Sequence, residues 1–139
     1  MSVEQVFVDT NILVYAHDVD AGERHDRARL RLSELWERKA PPAISVQVLQ
    51  ELYTTLIKKE VPQSRAEEVV GLYLRWKVID NTVLLLMQGM EEQIRWQVSP
   101  WDAWILAAAR HSGARQLWSE DFSAGQDYDG LLVHNPLTD

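Results

Sequence analysis

The sequence predicts an α/β domain with a mostly parallel sheet of four to five short strands and helices on both faces. Two observations carry this. Short apolar segments rich in β-branched residues alternate with longer ones whose apolar residues recur at helical spacing, the pattern of parallel strands joined by crossover helices. The 139 residues, 46% hydrophobic and 25% charged, suffice for one well-filled core. A single domain over residues 1–139 is therefore expected, with no repeat, linker or low-complexity segment.

Val6-Phe7-Val8 reads as the first strand. Asp9-Thr10-Asn11 follows it, and Asn11 to Ala16 reads as a short helix. Ligands of open parallel sheets sit outside the carboxyl ends of the strands, so Asp9 is either a helix cap or a site residue. The polar stretch from Asp18 to Gly22 breaks the pattern before a long helix from about Glu23 to Lys39. Ala21, His25, Ala28, Leu32 and Leu35 give that helix an apolar face. Arg24, Arg27, Arg31 and Arg38 form a basic row on another face. It is either a solvated row paired with Asp20, Glu23 and Glu34 at helical spacing, or a contact surface for nucleic-acid phosphates.

Pro41-Pro42 ends the helix, and Ala43 to Val46 is the second strand. From Val46 the spacing turns helical, with Val48, Leu49, Leu52, Tyr53, Leu56 and Ile57 on one arc. Glu51 lies about 60° beyond Val48, at the edge of the buried face. Val61-Pro62 opens another helix, whose apolar positions are Val69, Val70, Leu72, Tyr73 and Trp76. Val78-Ile79-Asp80 is the third strand, and Asn81 or Thr82 starts a helix through Leu84 to Trp96, weakened in its middle by Gly89.

Ser99-Pro100-Trp101-Asp102 is a strong helix start: serine caps, proline fits the first turn, and Asp102 can complete a capping box. Trp101, Ile105, Ala108 and Ala109, with Trp104 beside them, give an apolar helix ended by Gly113. Gln116 to Ser119 is the fourth strand, with Glu120-Asp121-Phe122 at its carboxyl end, and Leu131 to Val133 is a last short strand.

The bulk composition excludes several classes. No cysteine is present, which removes disulfides and thiolate metal sites. The longest apolar run, Ala103 to Ala109, is far short of the roughly 20 residues a membrane helix needs. No basic-then-apolar leader stands at the N-terminus, so a cytoplasmic, membrane-free protein is expected. The formal charge of −7 argues against nucleic-acid binding driven by phosphate contacts alone. It leaves room for an acidic cleft that engages a phosphodiester through divalent cations.

Four acids share one property. Asp9 follows strand one, Glu51 lies just beyond strand two, Asp102 opens the helix leading to strand four, and Asp121 follows that strand. In a doubly wound sheet these points can converge on one rim, where clustered carboxylates raise one another's pKa and cost stability unless cations occupy them. Mg²⁺ and Mn²⁺ prefer such oxygen ligands and can activate water against a phosphodiester. Each acid also has a local explanation: Asp9 and Asp102 as cap residues, Glu51 as a surface residue, Asp121 as a turn residue. The histidines His17, His25, His111 and His134 lack metal-ligand spacing, and His25 fits a core or boundary role. The tryptophans read mainly as core, with Trp96, Trp101 and Trp104 available for a protein interface. There is no glycine-rich phosphate loop or G-x-S-x-G turn.

Asp9-Thr10-Asn11 resembles the opening motif of PIN-domain ribonucleases. Ser45-Val46-Gln47-Val48-Leu49-Gln50-Glu51 resembles that family's second acidic segment, and Ser99-Pro100-Trp101-Asp102 through Ala109 its third. Leu117-Trp118-Ser119-Glu120-Asp121-Phe122 is similar to the fourth, and the ending Gly130 to Pro136 is also similar. The ordered set spans nearly the whole chain and looks most like VapC-type toxins of toxin–antitoxin pairs. That resemblance implies metal-dependent endonucleolytic cleavage of RNA. It assigns Asp9 and Asp102 as principal Mg²⁺ or Mn²⁺ ligands, with Asp121 joining directly or through water. Glu51 would position the metal or the attacking water, and Asn11 and Ser119 would support the cluster. Glu120 replaces Asp121 if the register is off by one. A cognate antitoxin and a homodimer are the partners it implies. Two other classes stay open: a catalytically silent PIN-like binding module, and a phospho-accepting receiver domain. The receiver needs a lysine near the last strand, and all four lysines lie at or before Lys77.

Overall fold

Five strands of three residues each form a wholly parallel sheet in the order β3-β2-β1-β4-β5. They are β1 (Val6–Val8), β2 (Ala43–Ser45), β3 (Lys77–Ile79), β4 (Gln116–Trp118) and β5 (Leu132–His134). The structure, a computed structural model, describes residues 4–138. Six helices surround the sheet: α1 (Thr10–Ala16), α2 (Glu23–Trp36), α3 (Val46–Lys58), α4 (Gln63–Tyr73), α5 (Val83–Trp96) and α6 (Pro100–His111). A 3₁₀ turn at Val19–Ala21 joins α1 to α2.

The central strand explains the layering. Val6, Phe7 and Val8 are all buried, although successive side chains point to opposite faces. A parallel sheet covered on both sides requires this. Phe7 stands opposite Ala43 on one side and Leu117 on the other, and all three are fully buried. The chain steps from β1 outward to β2 and β3, then returns past β1 to lay down β4 and β5. That reversal creates a topological switch point between β1 and β4, where such sheets bind ligands.

The helix starts lie on the same rim, because each crossover helix begins where its strand ends. Asp9 caps α1 directly after β1, Ser45 caps α3 from the last position of β2, and Thr82 caps α5 shortly after β3.

Several boundaries differ from the sequence reading. Helix α1 begins at Thr10, so Asp9 and not Thr10 is its cap. Helix α2 stops at Trp36, short of Lys39. The Pro41-Pro42 pair disfavours helix just before it, and the chain must turn early enough to place Ala43 beside Phe7. Strand β3 begins at Lys77, whose N–H reaches Pro42 O at 3.0 Å. Strand β5 lies one residue later than expected. Ile57, Leu72 and Trp101, assigned to apolar faces, are 41%, 42% and 63% exposed. Ile57 lies beside the inward Leu56, and Trp101 stands in the first turn of α6, beyond the covered part of the sheet.

Gly89 has a packing role. A Cβ there would collide with Cδ1, Nε1 and Cγ of Trp104, so glycine lets the indole lie against the backbone of α5. Trp104 Nε1 donates to Leu86 O at 3.2 Å, fastening α6 to α5. Further along the same pair, buried Glu92 receives Arg110 Nε at 2.8 Å and Nη2 at 3.1 Å, and Trp96 Nε1 at 3.0 Å. Arg110 also donates to the carbonyls of Tyr128 and Asp129. Trp96, partly buried, meets Tyr128 edge-on at 5.1 Å. His25 is buried, its Nδ1 2.9 Å from Tyr15 O, the boundary role expected of it.

Candidate active site

Asp9 is held at the switch point by both neighbouring elements. Its N–H bonds Trp118 O at 2.9 Å, extending the pairing of β1 with β4 by one residue. Its Oδ1 accepts the Thr10 N–H at 2.8 Å, which is the helix cap. Its Oδ2 accepts Ser119 Oγ–H at 2.8 Å and, more weakly, Asn11 Nδ2–H at 3.5 Å. The cap and site readings of Asp9 are therefore compatible: one oxygen caps, the other belongs to the rim.

Ser119 is fixed in turn by its N–H on His134 O at 3.0 Å, and its Oγ accepts the Asp121 N–H at 3.1 Å. Asn11 Oδ1 accepts the Glu120 N–H at 3.2 Å. The loop after β4 is thus stitched to the turn after β1, which brings Asp121 beside Asp9. Glu51 reaches the same place from the second turn of α3. Its Oε1 accepts Thr10 Oγ1–H at 2.6 Å, and its Oε2 lies 3.5 Å from Gln47 Nε2. Asp102 sits in the first turn of α6, where its N–H is capped by Ser99 Oγ at 3.1 Å. Among the described residues no Ser99 N–H bond closes the capping box, and the Ser99 side chain is the hydrogen-bond partner of the Asp102 carboxylate.

The charges of Asp121 and Glu51 act on both Asp9 and Asp102. Burial pushes the Asp9 carboxyl up to about 7, against the lowering effect of Ser119 and Thr10, and the charges of Asp121 and Glu51 push it further. Asp102 is raised by burial, with Ser99 opposing and Asp121 and Glu51 adding repulsion. Among the described residues, no basic side chain forms an ion pair with any of the four. Glu120 differs. Burial opposes its charge, but hydrogen bonds from Tyr15 (2.7 Å) and Arg24 (2.8 Å), with Arg24's charge, hold it below the ordinary carboxylate value. Having its own counter-ion, Glu120 is set apart from the cluster, and the neighbour of Asp9 is Asp121.

The donor set suits a hard cation. It is made of carboxylate oxygens without imidazole or thiolate, and Asp9 is a buried acid lacking a positive partner. Among the described residues no three such side chains surround a single ion position. The arrangement therefore fits Mg²⁺ or Mn²⁺ held by one or two carboxylates and completed by water and substrate oxygens, not a closed protein cage.

Of the arginine row, Arg24 and Arg27 are solvated, Arg31 is largely covered, and Arg38 falls beyond the end of α2 and donates to Glu4 O at 3.2 Å. Arg27 pairs with Glu23 at 3.1 Å and Arg31 with Glu34 at 3.4 Å, while Arg31 also covers the Trp118 ring. Arg24 leaves the row to bind Glu120. Two polar residues went unforeseen. Thr10 connects α1 to Glu51, and buried Gln47 connects Glu51 to Trp101 O at 3.2 Å. The i−4 spacing of Gln47 from Glu51 was the available signal.

The family model described as PIN domain matches residues 6–124, from β1 through the loop that carries Asp121. The chain belongs to the PIN-domain family. A sequence comparison with curated proteins gives no significant match. Similar solved structures are toxins or toxin–antitoxin complexes. The Mycobacterium tuberculosis toxin VapC20, described as cleaving the sarcin–ricin loop, has a TM-score of 0.67 and 24% identity, covering 84% of this chain and 90% of its own. A toxin–antitoxin complex from Klebsiella pneumoniae gives 0.71 at 20% identity, covering 95% and 98%. VapBC2 from Rickettsia felis, bound to a promoter DNA fragment, gives 0.68 at 21%, covering 94% and 97%. At these identities the likeness is one of fold. Membership of the PIN family removes the receiver-domain reading.

Proposed function

We propose that this PIN domain, spanning residues 1–139, is a cytoplasmic endoribonuclease and the toxin of a toxin–antitoxin pair. The observation that carries the reading is the placement of Asp9 and Asp102 at the switch point within the repulsive field of Glu51 and Asp121, with no basic side chain paired to any of the four among the described residues. Clustered unpaired carboxylates oppose folding, and a site that retains them has a use for positive charge. The chemistry a bound Mg²⁺ or Mn²⁺ supplies is activation of water and neutralisation of charge developing on the phosphodiester oxygens.

In this reading Asp9 and Asp102 are the direct ligands, and Asp121 joins them directly or through water. Glu51, oriented by Thr10 and Gln47, positions the attacking water. Ser119 and Asn11 hold Asp9 in place. Inhibition by a cognate antitoxin is supported by the toxin–antitoxin complexes among the similar folds. An exposed apolar face on α5, carrying Met87, Met90 and Ile94, supports a protein partner, either antitoxin or a second copy in a homodimer.

Incubation of the purified chain with RNA and Mn²⁺ tests this: cleavage is expected, abolished by chelator and by Asp9→Asn or Asp102→Asn. A folded Asp9→Asn protein that cuts at the wild-type rate sinks the assignment. The silent-module reading draws on the lack of a ready-made ion cage among the described residues. It predicts RNA binding without cleavage under saturating Mn²⁺.

A further inference from the structure

A cleft of about 450 Å³ opens beside the acid cluster, between the starts of α3, α5 and α6. Gln47, Gln50, Asn81, Leu86, Trp101 and Trp104 line it. We infer that this cleft holds one unpaired nucleobase of the RNA next to the phosphate being cut, stacked on Trp101; the inference rests on the nuclease reading above.

Position is the first argument. The cleft lies over the carboxyl ends of β2 and β3, on the rim where β1 and β4 present Asp9 and Asp121. Neighbouring strands are roughly 5 Å apart, so a strand whose phosphate lies at Asp9 has its adjacent base within reach. Gln47 is the physical link: its Nε2 approaches Glu51 on one side and donates to Trp101 O on the other. Trp101 also immediately precedes Asp102.

Chemistry is the second. The lining carries no charged side chain, so the cleft offers nothing to a phosphate and suits a neutral ring. Trp101 is 63% exposed, and its indole meets Trp104 edge-on at 5.1 Å. Trp104 is itself locked on Gly89, so Trp101 is braced from behind. The side-chain amides of Gln50 and Asn81 make no hydrogen bond to another described residue. A braced aromatic face flanked by exposed amides that no protein group engages is how proteins read bases of single-stranded RNA, by stacking and by hydrogen bonds to base edges. In a chain of charge −7, stacking also supplies affinity that basic side chains do not.

The test uses a single-stranded oligoribonucleotide cut by wild type with Mn²⁺, and the same strand made abasic at each position in turn. One abasic position beside the cut should lower kcat/KM roughly 5- to 150-fold, the range of one stacked base. That loss should vanish in Trp101→Ala, already reduced on the intact strand, and persist in Trp101→Phe. Equal losses by Trp101→Ala on every strand, or none, overturn the inference. So does a Trp101→Ala protein whose main change is in sedimentation or antitoxin affinity, because a protein then covers the cleft. If wild type cuts no strand, the nuclease reading fails by itself. The cleft is then judged by binding with Ca²⁺: weaker binding of the abasic strand by wild type but not by Trp101→Ala upholds it, and equal binding overturns it.

Discussion

Ser119 Oγ donates a 2.8 Å hydrogen bond to Asp9 Oδ2, joining the ends of β4 and β1 across 110 residues of sequence. The bond lies at the switch point of the sheet and satisfies a carboxylate that is almost entirely buried. It does not neutralise it. Asp9 keeps a carboxyl pushed up to about 7 by burial and by Asp121 and Glu51.

Stability without metal should therefore fall as pH rises. The folded carboxyl binds its proton more tightly than the unfolded one, whose value is near 3.8. Between about pH 4 and pH 7 the folded state holds more protons, so unfolding free energy decreases across that window and levels off above it. The loss is at most on the order of 4 kcal/mol. Asp9→Asn keeps the cap on Thr10, removes the charge, and should flatten this dependence while raising the melting temperature at pH 7.5. Thermal melts in chelator from pH 4 to 8 decide it; a variant less stable than wild type at pH 7.5 contradicts the account.

Divalent cations should reverse the penalty. At a hundredfold excess over its dissociation constant, Mn²⁺ adds about 2.7 kcal/mol to a protein that binds it only when folded. Melts with and without Mn²⁺ should show this in wild type and not in Asp9→Asn. Stabilisation of equal size in both would move the ion away from Asp9.

Thr10→Val should act on rate more than on folding. It deletes the hydroxyl that holds Glu51 at 2.6 Å, a bond worth about 1–2 kcal/mol. Glu51 then loses its fixed position, and kcat should drop roughly tenfold or more with KM little changed. Thr10→Ser should restore it. A parallel rise in KM with kcat preserved would assign Thr10 to substrate binding instead.

Two helix glycines should respond oppositely to alanine. Gly71, in α4, has open space at the Cβ position, and Gly71→Ala should stabilise by about 1 kcal/mol through helix propensity. Gly89→Ala drives a methyl into Trp104 and should cost a net amount on the order of 2 kcal/mol. Because Trp104 lies on the helix turn that carries Asp102, cleavage should weaken as well. Urea titrations of both variants give the comparison.

The Glu92–Arg110 pair should be strongly non-additive. Arg110→Ala strands Glu92, which has 11% side-chain exposure, and should cost about 3 kcal/mol. Glu92→Leu combined with Arg110→Met should recover most of that loss. Chemical denaturation of the singles and the double measures the coupling.

The strand–helix alternation was legible in the sequence because each three-residue strand has an apolar centre and several helix starts carry a side-chain cap, as at Ser45, Thr82 and Ser99. The candidate acids were legible as residues at comparable points of successive units. Their electrostatic coupling followed only from an assumed doubly wound topology, because it depends on the chain returning past β1 to place β4. The choice between Glu120 and Asp121 was likewise closed to local reading. Only the fold shows that Arg24 and Tyr15 converge on Glu120. Gln47 and Thr10 carry no motif that announces a partner 54 or 41 residues away. Trp101 reads as core by periodicity, but a helix's first turn can overhang the layer it packs on.

The narrowness of the sheet sets a limit on recognition. Five strands at about 4.8 Å spacing give a rim roughly 19 Å across, wide enough for only a few nucleotides in extended form. On the ribonuclease reading proposed above, so short a footprint carries little information, and the target should owe its distinctiveness to architecture: a loop or bulge that presents the right few nucleotides unpaired.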